Sequence, residues 1–145
     1  MKRRRVRKPP PQPRCVLDSG GLTAFVGGSQ RAREWLRWVV EHGGTIHVPT
    51  PVLVECTTGD GARDAEVNRV LAVLDRAAAV LESPDEPTAR RAGRLRFLAG
   101  VDDGIDALVA AAAVADGSPA VVLTSDPDDL ERLLARDPQV HVRTV

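Results

Sequence analysis

At 145 residues, with 43% hydrophobic and 28% charged side chains, the chain has the length and make-up of one ordinary globular domain, which excludes wholesale disorder and a second catalytic domain. Tyr is absent and only two Phe and two Trp occur, so the aromatic ladder on which RRM-like or OB-like proteins stack bases is excluded as well. The net charge of zero is unevenly split: residues 1–13 carry six basic side chains (Lys2, Arg3, Arg4, Arg5, Arg7, Lys8) and no acid, and the remainder holds fourteen basic against twenty acidic residues, a net of −6.

Residues 1–13 lack apolar periodicity and end in Pro9, Pro10, Pro11 and Pro13, which predicts a basic, proline-rich flexible arm ahead of a domain over 14–145. Such an arm can hold a polyanion that an acidic body would repel. Because prolines follow the arginines where an apolar segment would be needed, no secretory signal is expected, and no run of about 18 apolar residues suggests a membrane span. Cys15-Val16-Leu17 reads as a buried strand, closed by the turn-and-cap cluster Asp18-Ser19-Gly20-Gly21 and feeding a helix. Helical spacing follows at Ala32, Trp35, Leu36, Val39 and Val40 and stops at Gly43-Gly44; Gly27-Gly28 reads as a turn. Thr45-Ile46-His47-Val48 is a second strand. Thr50 and Pro51 look like the N-cap and first residue of a short helix through Cys56. A longer helix carries Val67, Val70, Leu71 and Leu74, and Ala79-Val80-Leu81 is a weak third strand. Helices are predicted over 87–98 and 104–115, then a clear strand at Ala120–Leu123, a final helix opened by Asp126-Pro127, and a fifth strand at Val140-His141-Val142. Short apolar strands alternating with helices imply a parallel sheet in a three-layer α/β/α sandwich.

Acids interrupt this apolar pattern at Asp18, Glu55, the Asp103/Asp106 pair and Asp126. Each has an ordinary explanation. Asp18 and Asp103 could cap helices, Asp126 could open the last helix ahead of Pro127, and Glu55 could lie on a solvated face. Their joint placement favours another role. Open parallel sheets bind ligands beyond the carboxyl ends of their strands, where strand order reverses. With the order 3-2-1-4-5, Asp18 and Asp126 both fall at that crevice. Asp106 heads an otherwise apolar helix, with Asp103 one turn before it and Asp102 four residues away. Two carboxylates about 4 Å apart repel by about 4 kcal/mol at an effective dielectric near 20. Several can share a pocket only around something positive, and carboxylates without His or Cys suit Mg²⁺ or Mn²⁺ better than Zn²⁺.

Together these residues resemble the PIN domain family, and within it the VapC-type toxins of bacterial toxin–antitoxin pairs. The resemblance rests on Val16-Leu17-Asp18-Ser19, on Glu55 after the second strand, on Asp106-Ala107-Leu108-Val109-Ala110-Ala111, and on Leu123-Thr124-Ser125-Asp126-Pro127-Asp128-Asp129-Leu130. It implies a metal-dependent endoribonuclease, with a water activated at Mg²⁺ or Mn²⁺ hydrolysing a phosphodiester. It further implies Asp18, Glu55, Asp106 and Asp126 as catalytic, metal-binding acids, with Asp103 an additional ligand found in some members. Ser19 and Thr124 are implied as hydroxyls near the substrate, and a small VapB-like antitoxin and a homodimer as partners. The basic arm and the extra acids Asp102 and Asp103 depart from the minimal pattern.

Arg90, Arg91, Arg94 and Arg96 form a basic cluster that reads either as a solvated helix face or as a phosphate-guiding rim, with Arg94 and Arg96 the candidates for RNA contact. Trp35 and Trp38 fit core packing or a dimer face. Two cysteines outside any CxxC pattern argue against zinc and suit a reducing cytoplasm. A catalytically weak PIN-fold module that binds RNA or protein is the alternative reading. A doubly wound phosphate-binding domain is a third, but no Gly-rich phosphate loop supports it.

Overall fold

Why the strands pair as they do follows from their composition: apolar on both faces, they must be covered on both sides, and only a parallel sheet flanked by helices does that. A computed structural model describes residues 12–77 and 79–145, so the expected arm lies outside the described residues except for Gln12 and Pro13. The five strands are β1 (Arg14–Leu17), β2 (Thr45–Pro49), β3 (Ala79–Glu82), β4 (Ala120–Thr124) and β5 (Val140–Thr144). They form one sheet in the order β3-β2-β1-β4-β5, every pair parallel, as the sequence predicts. Central β1 and β4 meet in the register Cys15↔Val121, Val16↔Val122 and Leu17↔Leu123.

Seven α-helices connect the strands. The helix after β1 is divided at Gly27-Gly28 into α1 (Ser19–Val26) and α2 (Gln30–Glu41), Gly28 taking φ 87°. After β2 comes a correction. Thr50 makes no side-chain cap; it opens a 3₁₀ turn, Thr50–Val52, leading into the single-turn α3 (Leu53–Cys56). Pro51 has no N–H to give and tolerates this tight first turn. The long helix α4 (Gly61–Ala77) buries Val67 and Leu74.

Past β3, α5 (Glu86–Ala99) is capped by Asp85 and ends on left-handed Gly100 (φ 63°), and α6 (Gly104–Ala113) is capped by Asp103. α6 is apolar because it packs across β1, β2 and β4. The last helix, α7 (Asp128–Leu133), starts at Pro127 without a side-chain cap, so Asp126 does not play the capping part the sequence offered it. Right-handed crossovers put α1, α2 and α4 on one face of the sheet and α5, α6 and α7 on the other, in agreement with the helix pairs in contact. The core between these layers is Val, Leu, Ile, Ala and Cys. Among the described residues no helix is long and apolar enough to cross a membrane.

Candidate active site

Neighbouring strands that point the same way deliver their carboxyl ends side by side, and β1 and β4 do so here. Asp18 follows β1, and its N–H bonds to the Leu123 carbonyl at 3.3 Å. Close approach depends on glycine: a Cβ on Gly21 would lie 2.2 Å from the Leu123 oxygen, and one on Gly20 would lie 2.2 Å from Ser125 Oγ. Among the described residues Asp18 and Thr124 are the two buried polar side chains, 5% and 0% exposed. The Gly21 amide donates to Asp18 Oδ1 at 2.6 Å, so Asp18 does cap α1, and that cap spends one oxygen. Burial holds the Asp18 carboxyl above its usual range. The nearby Thr124 hydroxyl and the Gly21 amide draw it partly back, and the Glu55 charge adds to the rise.

From β2 the 3₁₀ turn and α3 carry Glu55 to the same place. Ser19 Oγ donates to Glu55 Oε2 at 2.6 Å, joining the residue after Asp18 to an acid 36 positions along the chain. Beneath this pair Cys56 is buried, its thiol raised first by desolvation and, further down, by the charges of Glu55 and Asp18.

On the other side of the crevice Asp103 accepts from the Ile105 and Asp106 amides at 2.8 and 2.9 Å. This cap fixes the first turn of α6, where Asp106 sits. Half-buried, Asp106 is pushed up to about 7, first by desolvation and then by the charges of Asp103, Asp18, Glu55 and Asp129. Asp129 is an acid the sequence reading did not single out. It stands in the run Asp126-Pro127-Asp128-Asp129, where a helix start accounts for every carboxylate equally well.

The other candidates differ in exposure and bonding. Asp126 is exposed on the β4–α7 loop, with its amide and carbonyl both bonded to the Thr124 hydroxyl at 3.0 Å. Arg94 is exposed on α5. Arg96 turns to the backbone, donating to the carbonyls of Val101 at 3.4 Å and Asp102 at 2.7 Å. Among the described residues no three acidic, His or Cys side chains converge closely enough to hold a metal ion as they stand. Like charges favour rotamers that separate their oxygens. As donors, however, Asp18, Glu55, Asp103 and Asp106 offer carboxylate oxygen alone. His47 is engaged by Glu82 and Thr45 on β3 and β2. This donor chemistry fits a hard divalent cation.

A model of the PIN domain matches residues 15–134, whereas no curated protein matches the sequence. Among solved structures, VapBC2 from Rickettsia felis bound to a DNA fragment from their promoter is similar at TM-score 0.67 and 16% identity, covering 90% of this chain and 98% of that one. DNA-bound VapBC from Salmonella typhimurium gives 0.65 at 20% identity, over 90% of this chain and 97% of that one. FitAcB from Neisseria gonorrhoeae gives 0.61 at 18%, over 88% and 95%. At such identities the likeness is one of fold. The family match, by contrast, runs from β1 through α7 and takes in every acid of the crevice, and on that ground this chain belongs to the PIN domain family.

Proposed function

We propose that the chain is a metal-dependent endoribonuclease and the toxin of a VapBC-like toxin–antitoxin pair. One observation carries this reading: half-buried Asp106 is pushed up to about 7, first by burial and then by four other carboxylates, three of them from separate segments of the chain. Such crowding opposes folding, and it is sustained where a positive partner relieves it. Asp18, Glu55 and Asp106 would hold that partner, Mg²⁺ or Mn²⁺, with the second oxygen of Asp103 and the loop carboxylate of Asp126 as further ligands. When bound, the cation supplies a water ionised near neutral pH and a charge to set against the phosphodiester oxygens.

The chain's own groups orient the rest. The Gly21 amide fixes Asp18, Ser19 fixes Glu55, and the Asp103 cap fixes the turn that carries Asp106. Ser19 is the hydroxyl at hand to position water or a phosphate oxygen, and Arg94 is an exposed cation for the RNA backbone; Thr124, fully buried with its hydroxyl on the Asp126 backbone, is less suited to that contact than the sequence suggests. Arg96, spent on two carbonyls, is less suited to that contact than the sequence suggests. The similar solved structures are of VapBC and FitAcB assemblies, which supports a small VapB-like antitoxin as a partner here; a homodimer is proposed beside it from the resemblance alone.

A PIN-fold binding module of little turnover is the second reading, favoured by the separation of the acids as they stand. Purified protein incubated with structured and unstructured RNAs in Mg²⁺, Mn²⁺ or EDTA, beside Asp18→Asn, decides between them. Asn retains the capping oxygen, so the variant should fold. Metal-dependent cutting that disappears in the variant is expected. Cutting at the wild-type rate by Asp18→Asn, or none by the wild type with either metal, overturns the nuclease reading.

A further inference from the structure

A helix that ends on a left-handed glycine leaves its last carbonyls in need of donors. At the last residue of α5 and along the corner that follows it, two arginines supply donors to the backbone. Arg132, from α7, donates through Nη2 to the carbonyls of Ala99 at 3.2 Å and Gly100 at 3.0 Å. Arg96 takes the next two carbonyls, those of Val101 and Asp102. Four consecutive carbonyls are thus held by two guanidinium groups, and the following residue is Asp103, whose cap sets Asp106. Arg132 has a further tie, since Nη1 donates to Asp129 Oδ1 at 3.2 Å.

We infer that Arg132 is the positioning residue of the acidic crevice: one guanidinium ties Asp129 on α7 to the corner from which α6 presents Asp103 and Asp106. This rests on the nuclease reading of the same site. The ion pair itself is too exposed, at 55% and 43% for the two side chains, to matter much for stability, since water screens such pairs and holding two long side chains costs entropy. Its value lies in geometry. A planar fork serves two carbonyls and a carboxylate together, and a lysine ammonium carries the charge without the fork.

The test compares Arg132→Met and Arg132→Lys with the wild type, reading amide hydrogen exchange over residues 100–106 and single-turnover RNA cleavage with Mn²⁺. In Arg132→Met, exchange at the corner should quicken about tenfold while β1 and β4 stay protected. The cleavage rate should fall about tenfold with the KM for RNA within about twofold, since misplaced groups affect the chemical step. Arg132→Lys should recover less than half of the loss. Unchanged corner exchange in both variants, an unchanged rate, or full rescue by Lys overturns the inference. Were Arg132→Met to loosen the whole sheet, Arg132→Lys alone decides. A wild type that cuts nothing with Mn²⁺ would defeat the nuclease reading, and the exchange data would still tell whether Arg132 holds the corner.

Discussion

Asp106 shows how one carboxyl records the company it keeps. Its ordinary value is 3.8 and the fold raises it to about 7. Below pH 4 the group is protonated in both folded and unfolded chains and exacts no penalty. Between about pH 4 and 7 the unfolded chain releases the proton while the fold keeps it, so stability is lost as pH rises, and the loss is complete above 7. Asp106→Asn should therefore melt several degrees above the wild type at pH 8 in EDTA, with no difference near pH 4. Saturating Mn²⁺ should narrow the gap by stabilising only the wild type. Thermal melts at the two pH values check this, and an Asn variant no more stable than wild type at pH 8 would show that burying this carboxylate among other acids does not strain the fold. Asp18, Glu55 and Asp106 were legible in the sequence because each breaks an apolar run. Asp129 and Arg132 were not. One is hidden among equivalent acids, and the other is defined by bonds to residues 32 and 33 positions away, which no local pattern reveals.

At the scale of elements, the strands were legible because a fully buried parallel strand is a plain apolar run, and β4 is buried at every position. The pieces beside the site were harder to read. α1 begins Ser19-Gly20-Gly21, poor helix-forming sequence sustained by the Asp18 cap and by packing against β4 and the neighbouring helices. The 3₁₀ turn after β2 replaced an expected cap for a similar reason: β2 must turn sharply to bring Glu55 back to Ser19. Gly21 is where this can be tested. Its backbone is right-handed helix, so Ala is conformationally acceptable, but a methyl would meet the Leu123 carbonyl at 2.2 Å. Gly21→Ala should cost about 1 to 3 kcal/mol in chemical denaturation, the range of overpacked cores, and should depress cleavage by displacing Asp18. A variant of unchanged stability would mean that α1 sits less tightly on β4 than described.

For the molecule as a whole, strand order was readable once the sheet was taken as parallel, because acids after both β1 and β4 make sense only if those strands adjoin. The six basic residues of positions 2–8 precede Pro13, whose carbonyl bonds to Thr45 N at the amino ends of the strands, the edge opposite the acids. Thirteen extended residues can span about 40 Å, more than the roughly 17 Å height of a five-residue strand, so the arm has the length to reach RNA bound at the crevice. Deleting residues 2–8 should make the slope of log affinity against log salt shallower by up to about 4, for six charges at about 0.7 each on single strands. An unaltered slope would remove the arm from substrate binding.

The carboxyl end of β5 lies beside the chemistry. Because β5 runs with its neighbours, Val145 emerges at the crevice end of the sheet, its amide bonded to the Thr124 carbonyl at 2.9 Å. Whatever is fused after it starts within a few residues of Asp18. A polyhistidine handle placed there would offer imidazoles to any ion in the crevice.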